Sequence, residues 1–153
     1  MKTWFKVLHV MPLFWGALRE LSQQPNRGKT MRHFENSRFR DYDNRATFLK
    51  LSRSLESEGF DDVTYGNDVC PSIAFGHYEE AHIELKVFVD YADPAQRESE
   101  GDIFTIVITS DHPDVREEFV ASTDSIERAI DYAKTAKQNL MAQLEDQFHL
   151  FRR

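Results

Sequence analysis

The run Ile83-Glu84-Leu85-Lys86-Val87-Phe88-Val89-Asp90-Tyr91 alternates apolar and more polar residues at nearly every step. Successive side chains of a strand point to opposite faces, so Ile83, Leu85, Val87 and Val89 share one side. Glu84, Lys86, Phe88 and Asp90 share the other. A strand patterned this way belongs to an antiparallel sheet with one face on a core and one in water. Downstream, Asp93-Pro94-Ala95-Gln96-Arg97-Glu98-Ser99-Glu100-Gly101 has the composition of a long turn, and Ile103 to Thr109 returns as a second strand. Upstream, Val63-Thr64-Tyr65 and Val69 to Phe75 are rich in branched and aromatic residues and read as further strands. Beyond the turn Asp111-His112-Pro113-Asp114, Glu118 to Ala121 reads as a short edge strand.

Helical signals flank this β region. From about Asn44 to Glu58, Phe48, Leu51 and Leu55 recur on one helical face, and Gly59 stands where a C-terminal cap belongs. The last element is capped by Thr123 or Asp124, with Glu127 completing a capping-box spacing after Asp124. Ile126, Ile130, Ala133, Leu140, Leu144, Phe148 and Phe151 then form a stripe of about 38 Å at 1.5 Å per residue, with Lys137 interrupting it. A four-stranded sheet is only about 14 Å across. The end of the stripe therefore needs cover, either from the N-terminal Trp4, Phe5, Phe14 and Trp15 or from a second copy, and the first is favoured. At the N-terminus, residues 4–11 suit a strand and Leu13 to Gln23 a short helix. The expected fold is α+β: an antiparallel sheet of about four strands flanked by two or three helices, with a long C-terminal helix. It forms one domain over 1–153, with a basic connector at about 24–43.

Length and composition bound the function. The chain has 153 residues, 41% of them apolar, with twelve phenylalanines, enough to bury a core. Its single cysteine excludes a disulfide framework and a cysteine-rich zinc site. A lone thiol suits a reducing cytoplasm, which is the expected location. The opening residues are too interrupted by Lys6, His9 and Pro12 to be a spanning segment, so no membrane association is expected.

The net charge of −7 conceals a division along the chain. Residues 1–53 carry 11 Lys and Arg against 4 Asp and Glu, whereas residues 54–131 carry 4 against 20. Such a division sets the sign of the surface field and so the sign of the partners. Asp90, Asp93, Glu98, Glu100 and Asp102 crowd one hairpin loop, and Glu117 and Glu118 open the last strand. These seven are the candidate contacts for a basic protein surface. Arg32, Arg38, Arg40 and Arg45 interleave with Phe34, Phe39 and Tyr42, a mixture that suits phosphates and stacked bases. The alternative is that those rings are core and the arginines pair with the acidic body.

Signals for catalysis are sparse. Cys70 precedes Pro71 in an alternating run and lacks the glycine-rich elbow or helix start that activates a thiol, so it reads as packing. His77 and His82 are five residues apart across a turn, a spacing that matches no common metal site. The acidic loop lacks the glycine and ligand spacing of an EF-hand. There is no P-loop, GxGxxG or GxSxG. No catalytic residue, metal ligand or cofactor is therefore assigned.

The acidic α+β body, with the runs Asn67-Asp68-Val69-Cys70-Pro71-Ser72 and Val89-Asp90-Tyr91-Ala92-Asp93-Pro94, resembles in type the small accessory proteins of phages and plasmids, including anti-CRISPR inhibitors. The resemblance covers residues 60–135 and carries no functional residue across. It implies a non-enzymatic inhibitor or adaptor of mobile-element origin, binding a basic surface of a nucleic-acid-handling protein complex. The alternatives are a nucleic-acid-binding module acting through the basic 27–53 segment and a small hydrolase or metal-binding protein. A monomer is expected in preference to a homodimer.

Overall fold

The computed structural model describes residues 34, 38–65, 68–76, 83–98, 101–110 and 117–150; of 38, 40 and 144–150 the backbone alone is described. A 3-10 turn, Arg38–Asp41, leads into helix α1, Arg45–Glu56. Five strands follow: β1 Asp61–Asp62, β2 Ser72–Phe75, β3 Ile83–Val89, β4 Phe104–Ser110 and β5 Glu117–Thr123. Helix α2, Ile126–Leu150, closes the order. The strands form one sheet in the order β1-β2-β3-β4-β5, every neighbouring pair antiparallel. The expected α+β class and long final helix are present, with five strands where about four were expected. The N-terminal strand and helix, and the cover expected from Trp4, Phe5, Phe14, Trp15, Phe148 and Phe151, concern side chains outside the described residues.

The alternation of β3 sets the layers. Leu85, Val87 and Val89 are fully buried and register beside Phe75, Ile73 and Pro71 on one side and Ile108, Ile106 and Phe104 on the other. Both helices lie on this face. α1 contributes Phe48, Leu51 and Leu55, as its spacing predicts, and Phe48 stacks on Phe34 with ring centroids 4.4 Å apart. α2 contributes Ala129, Ala133, Ala136 and Leu140, with Ile126 and Ile130 half-buried beside them. The seam is thus mostly alanine, and small side chains let the helix backbone approach the sheet.

The opposite face is drier than the alternation predicts. Ser72, Ala74, Glu84 and Val107 are buried there, and Lys86 and Phe88 are half-buried. Glu84 and Lys86 pair at 3.3 Å, and the Lys86 ammonium lies 5.8 Å from the Phe88 ring centroid. Long side chains laid along a sheet shield short neighbours in this way.

Element ends differ from expectation for local reasons. The strand expected at Val63-Thr64-Tyr65 falls instead at Asp61–Asp62, because Asp62 Oδ1 accepts the Thr64 N–H at 3.0 Å and turns the chain out of the ladder. β2 starts at Ser72 rather than Val69, since Pro71 has no N–H to give the ladder. α2 is capped by neither Thr123 nor Asp124. Ser125 Oγ accepts the Arg128 N–H at 3.3 Å, Thr123 Oγ1 accepts from Ser125, and Asp124 turns away to Ile103. α1 closes as its glycine predicts. Gly59 has φ of 83°, and the Phe60 and Gly59 N–H groups donate back to Leu55 and Glu56. Lys137 then ties the helices together, donating to the Glu58 carbonyl at 2.6 Å and its Oε2 at 3.2 Å. That hydrogen bond holds the Glu58 carboxyl below its ordinary range.

Candidate functional site

The acidic loop between β3 and β4 sits at one end of the sheet, where the start of α1 and the β5–α2 junction also converge. Its shape is fixed by carboxylates that accept backbone N–H groups. Asp90, only 6% exposed, accepts from Tyr91 at 2.8 Å and from Glu98 at 3.2 Å, closing the loop on itself. Asp93 caps the 3-10 turn Pro94–Gln96 through the Ala95 N–H at 2.9 Å. Asp43, just before α1, accepts from Ala92 and Asp93, both at 3.2 Å. Asp124 accepts from Ile103 at 2.9 Å, and Asp102 accepts the Ser122 hydroxyl at 2.7 Å.

Arg97 brackets the same loop from inside. Its Nε donates to the Tyr91 carbonyl at 3.0 Å, Nη1 to Gly101 at 2.9 Å and Nη2 to Ala92 at 3.4 Å. Nη1 also lies 3.3 Å from Asp124 Oδ1. A planar fork with five donors can serve three carbonyls and a carboxylate at once, which an ammonium group could not do in this geometry. Behind the loop, Tyr42 donates its hydroxyl to the Val89 carbonyl at 2.7 Å, and Asn44 Nδ2 donates to the Asp90 carbonyl at 2.9 Å. Burial, with Cys70 and Asp90 nearby, raises the Tyr42 phenol well above the ordinary tyrosine range, so it stays a neutral donor.

This geometry sorts the seven acidic candidates. Asp90 faces inward and is part of the scaffold, not of the surface. Asp93 and Asp102 are partly committed to local partners. Glu98 and Glu117 are exposed, and Glu100 lies outside the described residues. Glu118 stands half-buried on the helix side of β5, where desolvation raises its carboxyl pKa. A raised carboxyl pKa penalises the folded state at higher pH, and the penalty shrinks as pH falls from that raised value and is gone below the ordinary carboxyl pKa. Glu118→Gln should therefore raise the Tm at about pH 7 and leave it unchanged below about pH 4, measured by scanning calorimetry.

Asp43, Asn44, Arg97 and Asp124 hold the site, and sequence reading assigns none of them to it: Asp124 is expected as a helix cap and Asn44 as a helix start. Asp43 and Asn44 carried a findable signal, since they stand together immediately before a helix start. Neither caps it: α1 has no side-chain cap, and both side chains reach across to the loop instead.

The basic candidates are placed differently. Arg38 and Arg40 lie on the 3-10 turn, and Arg32 is outside the described residues. Arg45 begins α1 with its guanidinium carbon 5.9 Å from the Phe34 ring centroid. Phe34, Phe39 and Tyr42, the rings interleaved with these arginines, are buried in the core. They are not available to stack on bases.

Cys70 is also buried, and burial followed by the Asp90 charge pushes its thiol up to about 12. The thiolate that a nucleophile requires is scarce under those conditions. His77 and His82 lie outside the described residues. Among the described residues no three His, Cys, Asp or Glu side chains could together hold a metal ion, and no helix is long and apolar enough to cross a membrane. No protein-family model, curated protein or solved structure matches the chain.

Proposed function

We propose that this protein is a non-enzymatic inhibitor or adaptor that binds a basic surface on a nucleic-acid-handling protein complex, in the manner of the phage and plasmid inhibitors it resembles in type. The observation that carries this reading is the braced acidic loop. Asp43, Asp90, Asp93 and Asp124 accept its backbone N–H groups, Asp102 accepts the Ser122 hydroxyl of β5, and the one cation within it, Arg97, is consumed by carbonyls and by Asp124. The result is a surface of one sign in a fixed shape. Preorganised charge steers a complementary surface into register and resists wrong partners. Residues 90–98 and 101–103 also lose little conformational entropy on binding, because these hydrogen bonds hold them beforehand.

The test is capture from a host lysate at low salt, followed by competition. The captured complex should release its own nucleic acid as the protein is added. Glu98→Lys combined with Glu100→Lys, both within the loop sequence, should slow association about ten-fold at low salt, an effect that shrinks at high salt where exposed charges are screened. A captured complex that keeps its nucleic acid at saturation would overturn the reading.

A further inference from the structure

The two edges of the sheet are not alike. At one edge, β1 is only two residues long, Asp61–Asp62, and both are acidic. A short, charged edge is a common way to prevent further strand pairing. At the other edge, β5 is seven residues long, Glu117–Thr123, with its charges confined to Glu117 and Glu118 at one end, and contains neither proline nor lysine. Among the described residues no element covers its outer side. Such a strand presents a row of backbone N–H and C=O groups able to template one more strand.

Its side chains add to this. Phe119 is 62% exposed and Val120 37% exposed, although both are among the residue types that favour strands. Val120 is the extra residue where the β4–β5 register shifts: Val107 pairs with Phe119 and Ile106 with Ala121. The bulge sets Val120 beside Phe119, and two adjacent apolar side chains stand exposed on a strand that opens with two glutamates.

From this contrast we propose that β5 is a docking edge for an extended, basic segment of a partner protein, which adds to the sheet as a sixth strand. The sign follows from charge. β5 opens with Glu117 and Glu118, and Asp102 and Asp124 flank its far end. A second copy pairing through its own β5 would bring the same acidic ends to the edge, whereas a strand alternating Lys or Arg with branched residues offers the opposite charge. Backbone bonds to the edge supply affinity, Phe119 and Val120 gain an apolar neighbour, and the glutamates set specificity. The inference goes beyond the proposed function by naming a binding mode, and it rests on that reading for the sign of the partner alone.

The probe is a labelled synthetic peptide of seven alternating valine and lysine residues, titrated with the intact protein by fluorescence anisotropy at low salt. A second peptide has the same sequence but is N-methylated at every other residue, which removes strand hydrogen bonds and keeps the charge. The plain peptide should bind at least about ten-fold more tightly, as a factor of ten corresponds to about 1.4 kcal/mol and several backbone bonds are at stake. It should also slow amide exchange within β5, and Phe119→Lys should weaken it. Equal binding of the two peptides would overturn strand addition while leaving the acidic-surface reading intact. Binding of neither would overturn the docking edge, and the proposed function would still be decided by its own competition experiment. A dimer mass in solution that Phe119→Lys abolishes would assign the edge to a second copy and overturn the proposal.

Discussion

Phe48→Ala is expected to cost about 3–5 kcal/mol of folding stability, a large share of what a domain of this size possesses. Phe48 is fully buried beneath α1, where it stacks on Phe34. Truncation removes the transfer energy of the ring and leaves a cavity that a close-packed interior fills only in part. The backbone of Phe34 is fixed independently, by a 2.7 Å hydrogen bond from its N–H to Asp62 Oδ2, so it cannot slide inward to take up the space. Urea unfolding should show the loss as a lower midpoint with an unchanged slope. A loss below about 1 kcal/mol would mean that the Phe34–Phe48 stack is not part of the stable core.

Asp90→Ala should cost about 2–3 kcal/mol, because it strips two part-buried backbone N–H groups, those of Tyr91 and Glu98, of their charged acceptor. Asp90→Asn retains one side-chain carbonyl oxygen and should cost less. Glu98→Lys should leave stability nearly unchanged, since that side chain is exposed. The three variants separate the scaffold from the surface within one loop. If Asp90→Ala unfolded at the same urea concentration as the parent, the carboxylate would not be holding the loop, and the braced surface invoked for binding would lose its support.

Most of the layer structure was legible because it follows from period. Ile83 to Val89 alternates and forms β3; Phe48, Leu51 and Leu55 recur at helical spacing and pack; Gly59 sits where a positive φ is needed. Asp90 shows where that reasoning fails. Alternation from Val89 assigns it to the wet face, but β3 ends at Val89 and the chain turns, so its carboxylate meets the loop's own amides. β5 was read as a short strand at Glu118 to Ala121 because the bulge at Val120 breaks a two-residue period, and only pairing with β4 reveals the full seven residues. β1 was placed two residues late because Asp61-Asp62 has poor strand propensity, and it pairs only because β2 is beside it. Among the site residues, the acids were visible as composition. Their division between bracing and display depends on which amides lie within about 3 Å, which a one-dimensional reading does not contain.

The order β1-β2-β3-β4-β5 also governs how the chain reaches this state. Every strand pairs with its neighbour in sequence, so the sheet can zip hairpin by hairpin through contacts local in sequence, the kind that form fast. The helix seam is the opposite. Lys137 reaches Glu58 across 79 residues, and α2 is the last described element to be made. Until it docks, Leu85, Val87, Phe104 and Ile106 line a sheet face that α1 alone cannot cover. The meander therefore supplies speed, and the alanine seam of α2 supplies permanence.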